Sequence, residues 1–235
     1  MLAIFKKEIR SYFITPIGYV FIALFLAVNG VLFSVNTLRL GRNSNIHGYF
    51  YWLILALVLL VPILTMKVFT EEKKMRTEQL LLSAPVPLFK IVVAKYLAAY
   101  TMFAIVLGVA SLNFFILAMY GSPNFAIFLG SMISLLLIGA ACVAIGVFFS
   151  ALTENQFIAA ISTMSVLLAF VGMNLFNDLI NSAFLRGIFN WFSLLARFNL
   201  FSFGFFDLQA ILYYISVAAV FIFLTIRVYE KKRWN

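Results

Sequence analysis

His47 and Cys142 are the only histidine and the only cysteine in a chain of 235 residues. Such side chains ligate metals or serve as activated nucleophiles when they cluster with one another or with carboxylates. No cluster at metal-ligand spacing occurs. Cys142 lies inside a long apolar run and has no partner for an intrachain disulfide. His47 falls in a polar stretch with Arg39 and Arg42 and reads as a surface residue of an outer loop. No Gly-x-x-x-x-Gly-Lys-Ser/Thr phosphate loop is present, so ATP is not held and hydrolysed by that route. The pattern therefore names no catalytic residue, no metal ligand and no cofactor of the chain's own.

The titratable groups concentrate between Lys67 and Pro87. Six of the 17 Lys/Arg residues lie between Lys67 and Lys95. Thr70 is placed to cap a helix whose first turn carries Glu71 and Glu72, well set against the helix dipole. Glu72 and Arg76 stand four apart in the favourable order. Thr77 and Glu78 can open a second short helix that carries Leu80, Leu81 and Leu82 into Ser83-Ala84-Pro85. Three consecutive leucines beside charge form an apolar patch, which either docks a partner or dips into lipid headgroups. The combination suggests a lever on which a soluble partner pushes.

The elements that position this segment are membrane spans. Hydrophobic residues make up 65% of the chain, with a mean hydropathy of +1.08. Runs of ~20 apolar residues are stable in a bilayer, and continuous rather than alternating runs select helices over a barrel. Residues 2–13 read as an amphipathic helix on the membrane, with Leu2, Phe5, Ile9 and Tyr12 on one face and Lys6, Lys7 and Arg10 on the other. Thr15 then serves as N-cap and Pro16 as first helical residue. Six spans follow, at about 16–37, 50–69 (kinked at Pro62), 91–120, 125–150, 156–177 and 208–228. Residues 183–206 are rich in aromatics but carry Arg186 and Arg197, and read as re-entrant or interfacial helices on the outer face. With six spans, 13 of the 17 basic residues lie on the side of both termini, which the positive-inside rule makes cytoplasmic. The net charge of +9 is read the same way, through anionic headgroups rather than nucleic acid. The expected fold is an all-α integral membrane protein of one domain, 1–235.

No Asp, Glu, Lys or Arg lies near the middle of any expected span, which disfavours an ion-coupled carrier. The polar residues inside are uncharged. Small and hydroxylated residues let helices approach and bond across one another, or they line a mildly polar translocation path. Asn29, Asn113, Ser162 and Ser165 are the candidates for such a path.

Several stretches stand in a fixed order along the chain: Phe5-Lys-Lys-Glu-Ile-Arg10 before Pro16, Phe69-Thr-Glu-Glu-Lys73, Thr77-Glu-Gln-Leu-Leu-Leu-Ser-Ala-Pro-Val86, Lys95-Tyr-Leu-Ala-Ala99 and Leu152-Thr-Glu-Asn-Gln156. Phe201, Gly204, Asp207, Tyr213-Tyr214 and Glu230-Lys-Lys-Arg-Trp234 complete the set. Together they resemble the permease subunits of the ABC transporter type-2 family, gliding-motility-type branch. Asn199 and Gln209 depart from the charge expected in that branch. The resemblance implies a bacterial inner-membrane protein with both termini cytoplasmic. It implies a connecting helix at 1–14, a coupling segment at 67–90 and an outer re-entrant segment at 178–207. The partners it implies are two cytoplasmic ATPase subunits, which bind ATP and Mg, and a second permease copy or paralogue in the lipid bilayer. It implies ATPase contacts at Phe5, Lys6, Glu8, Glu71, Glu72, Arg76, Thr77, Glu78, Leu80, Leu81, Ala84, Pro85 and Glu154. The chain would then be no enzyme itself. It would export an amphiphilic substrate or, alternatively, transmit force to envelope partners.

Overall fold

The computed structural model describes residues 1–38, 46–78, 86–120, 124–176, 187, 191, 193–198 and 207–234. It is 89% helix, with no strand among the described residues. Nine α-helices follow one another among the described residues: α1 Leu2–Ile14, α2 Pro16–Phe33, α3 Ile46–Thr65, α4 Lys67–Lys74, α5 Leu88–Ala110, α6 Asn113–Tyr120, α7 Phe125–Leu152, α8 Gln156–Phe176 and α9 Leu208–Trp234. A π-helical turn at Ser34–Leu38 ends α2. Six segments among the described residues are long and apolar enough to cross a membrane: Pro16–Thr37, His47–Lys74, Leu88–Met119, Phe125–Leu152, Gln156–Met173 and Leu208–Arg233. The chain is a multi-pass helical membrane protein.

The helix starts have local causes. Asn124 accepts from the amides of Ala126 and Ile127 at 2.9 and 3.4 Å, and so caps α7. Asn155 caps α8 through the Phe157 amide at 2.9 Å, and Asp207 caps α9 through the Gln209 amide at 2.9 Å. Each oxygen satisfies an N–H that the first turn leaves without a partner.

The segments containing α3 and α7 form the centre of the bundle. Their most apolar stretches are 72% and 61% buried, against 22–33% in the other four. The run from Ala141 to Val147 on α7 is wholly buried. Small residues there let its neighbours close in, since packing rather than hydrophobicity drives helices together in lipid. A side chain at Gly146 would overlap Thr65 of α3, so this crossing requires glycine.

Four expectations are corrected. The second span begins earlier and runs further than 50–69. His47 lies within α3 rather than in a loop, and its ring stands 5.9 Å from that of the buried Phe198. Met66 separates α3 from α4 but keeps helical angles and donates to Pro62 O at 2.9 Å, so α4 continues the span. The third span is interrupted at Ser111–Leu112, between α5 and α6. Thr15 occupies the N-cap position of α2, but its hydroxyl donates back to Ser11 O at 2.8 Å instead of capping. Of the expected outer segment 178–207, only residues 187, 191, 193–198 and 207 are described, so its re-entrant character lies outside the described residues. Within it, Arg197 places its guanidinium 3.9 Å from the Tyr213 ring centre.

Candidate functional site

The site assembles where α1, α4 and α5 meet. Helix α1 turns Ile4, Glu8, Ser11 and Tyr12 towards the bundle and leaves Lys6, Lys7 and Arg10 exposed. Tyr12 is 2% exposed, and its hydroxyl donates to Leu64 O at 3.2 Å, pinning α1 to the end of α3. Burial, reinforced by the negative charges of Glu8 and Glu71, pushes the Tyr12 phenol up, so it stays protonated and remains a donor. The turn from α1 into α2 is tight enough that a Cβ on Gly18 would run into the Tyr12 carbonyl.

Lys95 of α5 is the centre of the site. Its ammonium, 1% exposed, lies 2.9 Å from a Glu8 carboxylate oxygen and 2.9 Å from one of Glu72. It also donates to Val68 O at 2.9 Å. A buried ammonium in an apolar helix persists when its charge and donors are met, and here two carboxylates and a carbonyl meet them. Lys7 adds an outer contact to Glu72 at 3.6 Å. Three helices are thereby joined by one cation.

Lys67 and Lys73 are also buried, each 4% exposed. Lys67 donates to Thr15 Oγ1 at 2.5 Å and lies 4.3 Å from the centre of the Tyr12 ring. Lys73 donates to the carbonyls of Ala151 and, at 3.5 Å, Thr153. Those carbonyls close α7, where a cation complements the helix dipole. Ser150 accepts from the Phe69 amide at 2.8 Å, and the Phe69 ring lies 4.9 Å from that of Tyr229 on α9. Glu78 pairs with Lys232 near the end of α9 at 3.1 Å. The N-terminal helix, α4, the Thr153–Asn155 turn and the end of α9 thus converge at one end of the bundle.

This geometry changes the reading of 67–78. Thr70 does not start a helix. It is fully buried inside α4, and its hydroxyl donates to Met66 O at 2.5 Å. Glu72 turns to Lys95 rather than to Arg76, because Arg76 has left the helix with a φ of 55°. The Arg76 amide donates to Lys73 O and the Thr77 amide to Glu72 O, both at 3.0 Å, which is the Schellman closure of a helix C-terminus. Thr77 therefore closes α4, and Glu78 directly after it is again helical, as expected of a second helix opening at this point.

The sequence-selected residues separate into groups. Glu8 and Glu72 are brought together on Lys95, and Glu71 lines the same cavity of about 640 Å³. Phe5 is half-buried and Lys6 exposed on α1. Arg76 and Thr77 are exposed at the end of α4, Glu78 is half-buried and Glu154 is exposed in its turn. Leu80, Leu81, Ala84 and Pro85 lie outside the described residues. Asn29 and Asn113 are brought to one place: Tyr49 donates to the buried Asn29, and Asn113 shares a void of about 10 Å³ with Tyr49. Ser162 and Ser165 instead bond back to carbonyls of α8, Ser165 on its exposed face.

No family model matches the chain, and no curated protein matches it. The roles therefore rest on this geometry. Lys67, Lys73 and Tyr49 carry contacts that sequence reasoning left without a role. Lys95 was visible only as part of a motif. A lysine two turns into an apolar helix is itself the signal, since an ionisable group there demands a partner.

Proposed function

We propose that the chain is the membrane-spanning permease subunit of an ATP-driven exporter of the ABC type-2 kind. A separate cytoplasmic subunit would bind and hydrolyse ATP, and this chain would convert its motion into passage of an amphiphilic substrate. The observation that carries the reading is the Lys95 junction, where α1, α4 and α5 meet at the same end as the Thr153–Asn155 turn and the end of α9. A push on the segment after α4 would reach α1 and the third span through two buried ion pairs, and α7 through Lys73. In this reading that end is cytoplasmic, residues 67–90 form the coupling segment, and Glu154 supplies a second contact. The fields of apolar surface around the bundle suit a substrate that travels in contact with lipid.

The test is purification of tagged protein in mild detergent, with mass spectrometry of co-purifying chains and an ATPase assay. A stoichiometric nucleotide-binding subunit is expected, and Leu81→Asp should release it and abolish stimulated ATP turnover. A preparation that carries no such subunit even after crosslinking would overturn the reading. Cysteines introduced at 83 and 235 should react with impermeant reagents from the cytoplasmic side, and labelling of either from outside alone would reverse the topology.

A further inference from the structure

Helix α1 carries a second feature that the coupling reading leaves unused. A groove of about 460 Å³ on its outer side is lined by Lys6, Lys7, Arg10, Ser11, Ile14 and Thr15. Lys6 and Arg10 are one helical turn apart, as are Lys7 and Ser11, so two adjacent rows present three cations to one space. Lys6 and Arg10 are exposed and have no ion pair among the described residues, and Lys7 touches only Glu72, at 3.6 Å. A fourth cation lies beneath the hydroxyls of the groove. The buried Lys67 ammonium donates to Thr15 Oγ1 at 2.5 Å and lies 3.4 Å from Ser11 Oγ, with no carboxylate within ion-pair distance among the described residues. The Thr15 proton is spent on Ser11 O, whereas the Ser11 hydroxyl, accepting from Lys67, still has its own proton to donate. The groove is therefore built for an anion that accepts several hydrogen bonds.

Its setting selects the anion's source. The groove ends at Ile14, 67% exposed, beside Phe13, 42% exposed, immediately before Pro16 opens the first membrane-crossing segment. Charge and uncovered apolar surface thus lie in the order in which a phospholipid presents its phosphate and its chains.

We propose that this groove binds one anionic phospholipid, its phosphate held by Lys6, Lys7, Arg10 and the Ser11 hydroxyl, and an acyl chain running past Ile14 along the start of α2. The site assigns Lys6 to lipid rather than to an ATPase subunit. It requires that the chain reside in a membrane and does not require a partner ATPase, so its test is independent of the permease reading.

The full-length chain in mild detergent is incubated with equimolar phosphatidylglycerol and phosphatidylcholine, and bound lipids are counted by native mass spectrometry. One phosphatidylglycerol should be retained in preference to phosphatidylcholine. Basic side chains near an anionic surface act additively, so the Lys6→Gln/Arg10→Gln variant should bind on the order of tenfold or more weakly. These side chains are exposed, so their loss should leave the thermal midpoint unchanged and the result interpretable. A Lys231→Gln/Arg233→Gln variant removes the same charge elsewhere and should retain the lipid, as should wild type in excess inorganic phosphate. Equal retention of the two lipids, equal loss in both double variants, or displacement by inorganic phosphate would overturn the proposal.

Discussion

At the end of α3 that leads into α4, three helices meet through a buried ammonium and two carboxylates. At the opposite end, α2, α3 and α6 meet around a phenol and two amides, Asn29, Tyr49 and Asn113. The charged junction keeps a route to water: the Glu8 and Glu72 side chains are 13% and 14% exposed although Lys95 is 1% exposed. Partial hydration of the carboxylates offsets part of the desolvation cost of the pair, and their attraction holds the ammonium. At the other end Asn29 and Tyr49 are only 3% and 7% exposed. The Asn29 amide and the Asn113 amide nitrogen are buried, and the latter has no well-formed hydrogen bond among the described residues. Uncharged groups tolerate incomplete partnering at far lower cost than ions. The comparison explains why one end can act as a stiff joint that tolerates charge, while the other is a weak polar contact that can separate.

The largest effect should come from the stiff joint. Lys95→Met removes the shared cation and leaves two carboxylates facing each other with only the exposed Lys7, 3.6 Å from Glu72, as counter-charge. Breaking a buried pair on one side costs about 3–5 kcal/mol. The thermal unfolding midpoint in detergent should fall steeply. Adding Glu8→Gln and Glu72→Gln to Lys95→Met should recover most of the loss, because the uncompensated charges go too. A Lys95→Met variant as stable as wild type would mean that the junction is solvated and transmits nothing. Where the single variant fails to express, the triple variant still decides the matter, since its recovery is the diagnostic result.

The weak contact should respond less. Tyr49→Phe removes the donor to Asn29 while preserving the ring that packs 5.8 Å from Phe33 and 4.9 Å from Phe50. Hydrogen bonds between helices in a membrane average roughly 0.6 kcal/mol and reach about 1.7 kcal/mol. A loss within that range is expected, read as the change in unfolding free energy in the same detergent. A loss as large as that of Lys95→Met would erase the contrast between the two ends.

The six apolar runs were legible because lipid imposes length and composition directly. The short connection at Thr153–Asn155 was legible for the same reason, as an interruption too brief for anything but a turn. Asn29 and Asn113 were selected as isolated amides in apolar runs, but their meeting around Tyr49 was not, since tyrosine in such a run carries no comparable mark. The Lys95 junction was hidden for a different reason. Its partners lie 87 positions away at Glu8 and 23 away at Glu72, and no local periodicity encodes a contact of that separation. Local rules misjudged Thr70 because they weigh its capping propensity and not the buried surface of α7 that receives α4. They misjudged Arg76 because an arginine gives no warning that it will adopt a conformation usually left to glycine.

Arg76 yields the smallest prediction and refines the contrast between stiffness and release. Its φ of 55° lies in the left-handed region, which costs an L-residue with a side chain roughly 1–2 kcal/mol. Arg76→Gly relieves that strain at the Schellman position but adds about 0.4–1 kcal/mol of unfolded-state entropy. The net gain should be on the order of 0.5 kcal/mol and appear as a small rise in the unfolding midpoint. Arg76→Ala removes the same exposed charge without relieving the backbone, so it should not raise the midpoint. If both variants raise it equally, the effect is electrostatic repulsion from Lys73 and Lys74 and the strain is immaterial. If glycine alone raises it while also weakening association with an ATPase subunit, then the arginine is kept at a strained position because its side chain is needed by the partner. The end of α4 would then be where the stiff joint gives way to the surface on which the partner pushes.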